Sequence, residues 1–184
     1  MFFFNKDENK IFKPRTIEHA YLNIINDDLK TAKAIFESID SPRALWGKSF
    51  TDILIGYLER FPTYFEIRNF LEIDLDFLLK NEKTDYVQQV LGASELLSDI
   101  NQEVYKYIGR VMYENKLYNS AREYLEKSKK LFYNDPELHF LFARYFLNSH
   151  QYEDAYFYIN ECLRILPDYY PAKTLKTNIQ KYIQ

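Results

Sequence analysis

Tyr105-x-x-Ile108-Gly109-x-x-Met112, then Ala121-x-x-x-Leu125, occupies residues 105–125, and the same pattern returns with a period of 34. The second copy reads His139-x-x-Phe142-Ala143-x-x-Phe146, then Ala155-x-x-x-Ile159. Large residues fall on large ones at Ile108/Phe142, Met112/Phe146 and Leu125/Ile159. Small ones fall on small at Gly109/Ala143, Ala121/Ala155 and Ser128/Cys162, and Tyr118 and Tyr152 open the second half of each copy. A fixed period in the thirties marks a helical repeat array, in which each hairpin buries its apolar face only against its neighbours. The small slots let helices approach closely, and a bulky side chain there would overpack the contact at a cost of ~1–3 kcal/mol.

These residues resemble the tetratricopeptide repeat, a helix-turn-helix with a Trp-x2-Leu-Gly-x2-Tyr, Ala-x3-Phe, Pro signature. Pro167 closes the second copy as the signature asks, whereas His139 stands in an aromatic slot and Tyr133 in the proline slot of the first copy. The resemblance implies an all-α, right-handed α-solenoid of TPR-like hairpins. It also implies a concave groove lined by the first helix of each hairpin.

Composition narrows the alternatives. With 47% hydrophobic and 18% aromatic residues in 184, the chain has enough apolar surface to fold around a continuous core. The 4 Gly stand apart, at 47, 56, 92 and 109, which excludes a glycine-rich phosphate cradle. The 6 Pro fall between periodic segments and so punctuate helices without interrupting them. A net charge of −3 gives no bulk footprint for nucleic acid. One Cys forms neither an intrachain disulfide nor a Cys-based zinc site. Met1-Phe2-Phe3-Phe4 is too short an apolar run for a signal peptide, and no segment approaches the ~20 apolar residues of a membrane span. The expected setting is the cytoplasm.

Along the chain, residues 1–14 read as a flexible N-terminal arm whose aromatic residues dock on the first helix, the alternative being a hydrophobic anchor for a partner. Residues 15–184 read as a single repeat domain. In 15–42, Ala20 and Ala32 keep the spacing of Gly109 and Ala121, so this is a divergent repeat, with Asp27 and Asp28 in its turn and Pro42 as its stop. Residues 43–100 keep a helical rhythm without the signature and read as degenerate repeats in three segments, the third capped by Thr84 and running through Leu97. Two full repeats follow at 101–135 and 136–169. In 170–184, Ala172, Leu175, Ile179 and Ile183 form one stripe and Lys173, Lys176, Asn178, Gln180 and Lys181 lie off it, the pattern of a capping helix that completes the chain. The expected total is nine or ten helices.

Candidate chemistry is sparse. His19, His139 and His150 share no metal spacing, and Cys162 takes a small packing slot. Glu72, Asp74 and Asp76 form the densest acid cluster, read as a solvated face. Nothing marks a nucleophile or an acid–base pair, so the chain is expected to be non-catalytic and to need no cofactor or metal. One ladder stands out: Arg110, Arg144 and Asn178, each one period after the last, with Lys106 and Phe140 one turn before the two Arg and Tyr113 and Leu147 three positions after. The resemblance places such slots on the groove, where stacked cations beside aromatic surface suit an acidic or carboxylate-ended peptide. The competing reading pairs Arg110 and Arg144 with Glu103, Glu114 or Glu137. The expected activity is therefore a protein-interaction scaffold with a protein or acidic-peptide partner, acting as a monomer or weak homo-oligomer. The alternative is a structural protein that self-assembles through its 17 Tyr and 15 Phe.

Overall fold

Seven positions beyond the small slot of a hairpin, the chain has to reverse, and it does so the same way four times. Asp27, Glu82, Lys116 and His150 all adopt left-handed backbone, with φ of 62, 57, 63 and 58°. At each, the next amide donates back across the turn: Asp28 N to Asn23 O, Lys83 N to Leu78 O, Leu117 N to Met112 O and Gln151 N to Phe146 O, at 2.8–2.9 Å. This 6→1 closure ties off the carbonyls left open at a helix C-terminus.

The computed structural model describes residues 16–183, and the expectation of an N-terminal arm lies outside them. Eleven helices are present among the described residues: α1 Ile17–Ile25, α2 Leu29–Glu37, α3 Pro42–Ile55, α4 Tyr64–Lys80, α5 Thr84–Gly92, α6 Ser94–Ile100, α7 Val104–Glu114, α8 Tyr118–Leu131, α9 Pro136–Asn148, α10 Tyr152–Ile165 and α11 Tyr170–Ile183. The architecture is an all-helical α-solenoid. The expected nine or ten helices fall short of these eleven because the segment from Thr84 to Leu97 is not continuous. It breaks after Gly92 into α5 and α6, at a residue of low helix propensity around which a side chain would meet no neighbour within 4 Å. Thr84 is the first residue of α5, and Lys83 holds the cap position without a side-chain bond. Pro42, expected to stop α2, instead opens α3 behind Ser41, whose hydroxyl accepts from Ala44 N at 3.2 Å.

The turn geometry shows that α4–α5 is a further copy in phase with the period. Glu82, Lys116 and His150 follow one another at exact multiples of it, as do the helix-ending Asn81, Asn115 and Ser149. Among the described residues, α3 and α11 have no hairpin partner in this scheme, and α3 packs on α2, α4 and α5.

The hairpins α7–α8 and α9–α10 are the most extensively packed helix pairs. Their small slots explain this: a Cβ on Gly109 would stand 2.8 Å from Leu125 Cδ2, and Ala121, Ala143 and Ala155 are fully buried. The buried apolar residues form two clusters, one running from Ala20 to Tyr124 and one from Leu125 to Ile179, with Tyr113 packed against both. One row of first helices runs α4, α7, α9, α11, each packed on the next. On α11, Ala172 and Ile179 are buried toward α10 and α9, while Lys173, Lys176, Thr177 and Gln180 stand where α9 has His139, Phe142, Ala143 and Phe146. The face that would receive another helix is thus polar at this end, as a capping helix requires.

Candidate functional site

The ladder residues project from the row α4, α7, α9 and α11. Each copy carries its ladder slots at the same depth along its first helix, so side chains one period apart in sequence become lateral neighbours. On α4 those slots hold acids: Glu72 stands one period before Lys106, and Asp76 one period before Arg110.

On α7, Arg110 therefore meets acids on both sides. Arg110 bridges Glu72 of α4 at 3.2 Å and Glu137 of α9 at 2.5 Å. Lys106 is only 4% exposed and contacts Asp135, Glu103 and Glu137 at 2.6, 2.8 and 3.2 Å. Burial pulls its ammonium down, but the bonds to Asp135 and Glu103 overcome that and hold it above the ordinary lysine range. Asp76 accepts from Asn115 of α7 at 2.9 Å. Lys106 and Arg110 are thus ties between hairpins. Breaking a buried tie such as that of Lys106 by removing one partner typically costs ~3–5 kcal/mol.

Arg144 sits differently. Its guanidinium pairs with Glu114 of α7 at 2.6 Å and lies over the Tyr113 and Phe140 rings, 4.7 and 6.0 Å from their centroids. Tyr113 Oη donates to the Arg144 carbonyl at 3.2 Å, fixing α7 against α9. Leu147 is half-buried against the second core cluster.

Beyond Arg144 the row opens into a cleft of about 810 Å³ between α9 and α11. Phe140, Tyr170, Pro171 and Leu175 form its apolar walls, and Arg144, Thr174, Thr177, Asn178 and Lys181 bring polar groups to it. Of the seven ladder residues read from sequence, Phe140, Arg144 and Asn178 line this cleft, and Lys106, Arg110, Tyr113 and Leu147 do not. As cleft residues, sequence reading missed Tyr170, Pro171, Thr174, Leu175, Thr177 and Lys181. Two of these carried a signal, because Thr174 and Lys181 stand one period beyond Phe140 and Leu147.

The acid cluster on α4 is the largest departure from expectation. Asp74 is not on a solvated face but fully buried. Its carboxylate accepts from Tyr21 Oη of α1 at 2.8 Å and Trp46 Nε1 of α3 at 2.5 Å, and pairs with Arg43 of α3. Arg43 is itself held between the Tyr21 and Phe70 rings, 4.9 and 4.8 Å from their centroids. Burial pushes the Asp74 carboxyl up against the pull of Arg43 and of the donors Trp46 and Tyr21. The three acids thus face two ways, Glu72 and Asp76 to α7 and Asp74 to α1 and α3.

His139 is buried in its aromatic slot with Nε2 2.6 Å from the Tyr133 carbonyl and its ring tilted 5.8 Å from that of Tyr158. His150 forms the α9–α10 turn. Burial pushes the Cys162 thiol up to about 11, so it is not a thiolate near neutral pH. Among the described residues, no group of three His, Cys, Asp or Glu could hold a metal ion. No helix among them is long and apolar enough to cross a membrane.

No protein-family model and no curated protein matches the sequence. Among solved structures, the fold is similar to the C-terminal part of a TPR repeat-containing protein from Cytophaga hutchinsonii. The TM-score is 0.50 at 14% sequence identity, over 91% of this chain and 71% of that one. At that identity the likeness concerns the fold, which is tetratricopeptide-like.

Proposed function

Starting from a tetratricopeptide-like α-solenoid, we propose that this chain is a non-catalytic protein-interaction module that holds a segment of another protein in the α9–α11 cleft. Residues 15–184 act as one repeat domain in this reading, and the setting is the cytoplasm. The observation that carries it is the lining of the cleft. An apolar wall of Phe140, Tyr170, Pro171 and Leu175 stands beside the donors of Arg144, Asn178 and Lys181. Aromatic and Arg anchors supply most of the energy of protein interfaces. Lys181 and Arg144 favour a segment with acidic and apolar side chains.

The partner contacts are assigned to Phe140, Arg144 and Asn178. Lys106, Arg110, Tyr113 and Leu147 support them from behind, by fixing α7 against α9. The test is a fluorescence-anisotropy titration with a panel of acidic-aromatic and basic-aromatic peptides. Binding is expected for the acidic set, weakened at least tenfold by Arg144→Glu and left intact by Arg122→Glu on α8. Equal affinity for both sets, or indifference to Arg144→Glu, would count against the assignment.

A second reading, self-assembly through aromatic surface, draws on Tyr57, Phe61 and Phe65, which are 68, 59 and 68% exposed around the α3–α4 connection. Light scattering across a concentration series separates the two, because a constant monomer mass excludes assembly.

A further inference from the structure

The joint between α7 and α9 and the joint between α9 and α11 use the same slots, one period apart. Only the first is complete in charge. Across it, Lys106 meets Asp135 at 2.6 Å and Arg110 meets Glu137 at 2.5 Å. One period on, Lys106 and Asp135 become Phe140 and Tyr169, whose rings meet edge to face at 5.3 Å. Arg110 and Glu137 become Arg144 and Pro171. Glu137 and Pro171 are each the second residue of their helix, so the slot itself is preserved. The cation stays and its acid is gone.

Arg110 is gripped from both neighbouring first helices, by Glu72 and Glu137. Arg144 is gripped from one. Among the described residues its acidic partner is Glu114 of α7, reached through Nη1 at 2.6 Å. On the α11 side the guanidinium lines the cleft opposite a proline, which has no group to accept from it. The rest of the cleft does not make up the loss. Two cations, Arg144 and Lys181, line it, and among the described residues no acid does. Lys181 stands where the preceding copy has Leu147, so this joint has gained a base where it lost an acid. A guanidinium with an open edge, in a cleft of like charge, is suited to a carboxylate.

We propose that Pro171 is the specificity-determining residue of the α9–α11 cleft: by withholding the acid that Glu137 gives Arg110, it leaves the α11 side of Arg144 to a carboxylate carried by the bound segment. The inference rests on the cleft being the binding site, and it adds which group of the segment is read and where. Phe140 and Tyr170 flank that place and offer apolar surface to the neighbouring side chain of the segment.

Restoring an acid within the chain should close the site. Pro171→Glu is compared with Pro171→Gln, which loses the proline equally and brings no charge, each with and without Arg144→Gln. In thermal unfolding, Pro171→Glu should melt above Pro171→Gln, by a margin that shrinks when Arg144→Gln is added. What remains is the ordinary preference of a helix N-terminus for an acid. In anisotropy titrations with a labelled peptide alternating glutamate and phenylalanine, Pro171→Glu should bind about tenfold more weakly than Pro171→Gln. The same peptide with glutamine in place of glutamate should not tell the two variants apart. An equal melting margin in both backgrounds shows that the slot does not face Arg144 and overturns the proposal. Equal binding of the acidic peptide by the two variants also overturns it, while the cleft reading stands. Failure of that peptide to bind the unaltered chain is a different result, which takes down the cleft reading and this assignment with it.

Discussion

Where α7 places Ile108 and α9 places Phe142, α4 places Asp74, and all three side chains are fully buried. The neighbouring slot differs too: Leu75 on α4 against Gly109 on α7 and Ala143 on α9. In the two C-terminal hairpins a large apolar residue and a small one let the second helix come close. In α4–α5 the small slot is filled, the second helix is broken at Gly92, and a polar hub tied to α1 and α3 takes over. The comparison teaches that a position in the period dictates burial, while the neighbours available decide which chemistry satisfies it. An inserted helix, α3, brought Arg43 and Trp46 within reach, so a carboxylate became the fitting residue.

Making α4 more like its siblings should therefore damage it most. Asp74→Leu restores the apolar slot but leaves Tyr21 Oη, Trp46 Nε1 and the Arg43 guanidinium without their acceptor. An uncompensated buried charge and two orphaned donors predict a loss of about 3–5 kcal/mol in urea unfolding. Asp74→Asn, which keeps part of the set, should lose less. A cost below ~1 kcal/mol for Asp74→Leu would mean the hub contributes little. The converse exchange gives a smaller effect. Gly109→Leu forces a side chain into Leu125, whose backbone N would lie 3.2 Å from the new Cβ, and should cost about 1–3 kcal/mol.

The third prediction uses pH. Burial pulls the His139 imidazole below its usual value, against the hydrogen bond with the Tyr133 carbonyl. On acidification the unfolded chain, titrating near ~6.5, takes up this proton before the folded one does. The contribution is therefore fully present above that pH and lost as pH falls toward the folded value, at ~1.4 kcal/mol per pH unit of separation. Thermal unfolding at several pH values should show a steeper loss below ~6.5 in the unaltered chain than in His139→Gln. Parallel profiles would remove His139 from the account. The smallest effect concerns what the hairpins share. Lys116→Gly relieves a left-handed residue worth ~1–2 kcal/mol of backbone strain and adds ~0.5–1 kcal/mol of unfolded-state entropy. A gain of up to about 1 kcal/mol is expected, with Glu82→Gly matching it if the α4–α5 turn is the equivalent one.

Much of this was readable in advance. The two C-terminal hairpins, the Ala20/Ala32 hairpin and the polar face of α11 followed from spacing alone. The α4–α5 copy was hidden because the signature is defined by its large and small slots, and Asp74 and Leu75 violate both. Its turn and its apolar phase were visible, in Asn81 against Asn115 and in Leu71, Leu78 and Leu91 against Tyr105, Met112 and Leu125. The ion pairs of Arg110 and Arg144 divided the same way. Glu137 and Glu114 were foreseeable from an adjacent copy, whereas Glu72 required knowing that α4 lies beside α7. The cleft was half legible: Arg144, Phe140 and Asn178 came from the ladder, whereas Tyr170 and Pro171 open α11 where the period has Pro136 and Glu137 on α9, slots the ladder did not include.

Trp46, the single tryptophan of the chain, donates to Asp74 at the centre of the first core cluster. Indole emission therefore watches α1, α3 and α4 and is blind to the cluster that ends at Ile179, whereas far-ultraviolet dichroism sums every helix. Melting curves recorded by the two signals will coincide if the stack comes apart as one unit. They will separate if its halves let go in turn, so the molecule carries a built-in probe of how far along its length cooperativity extends.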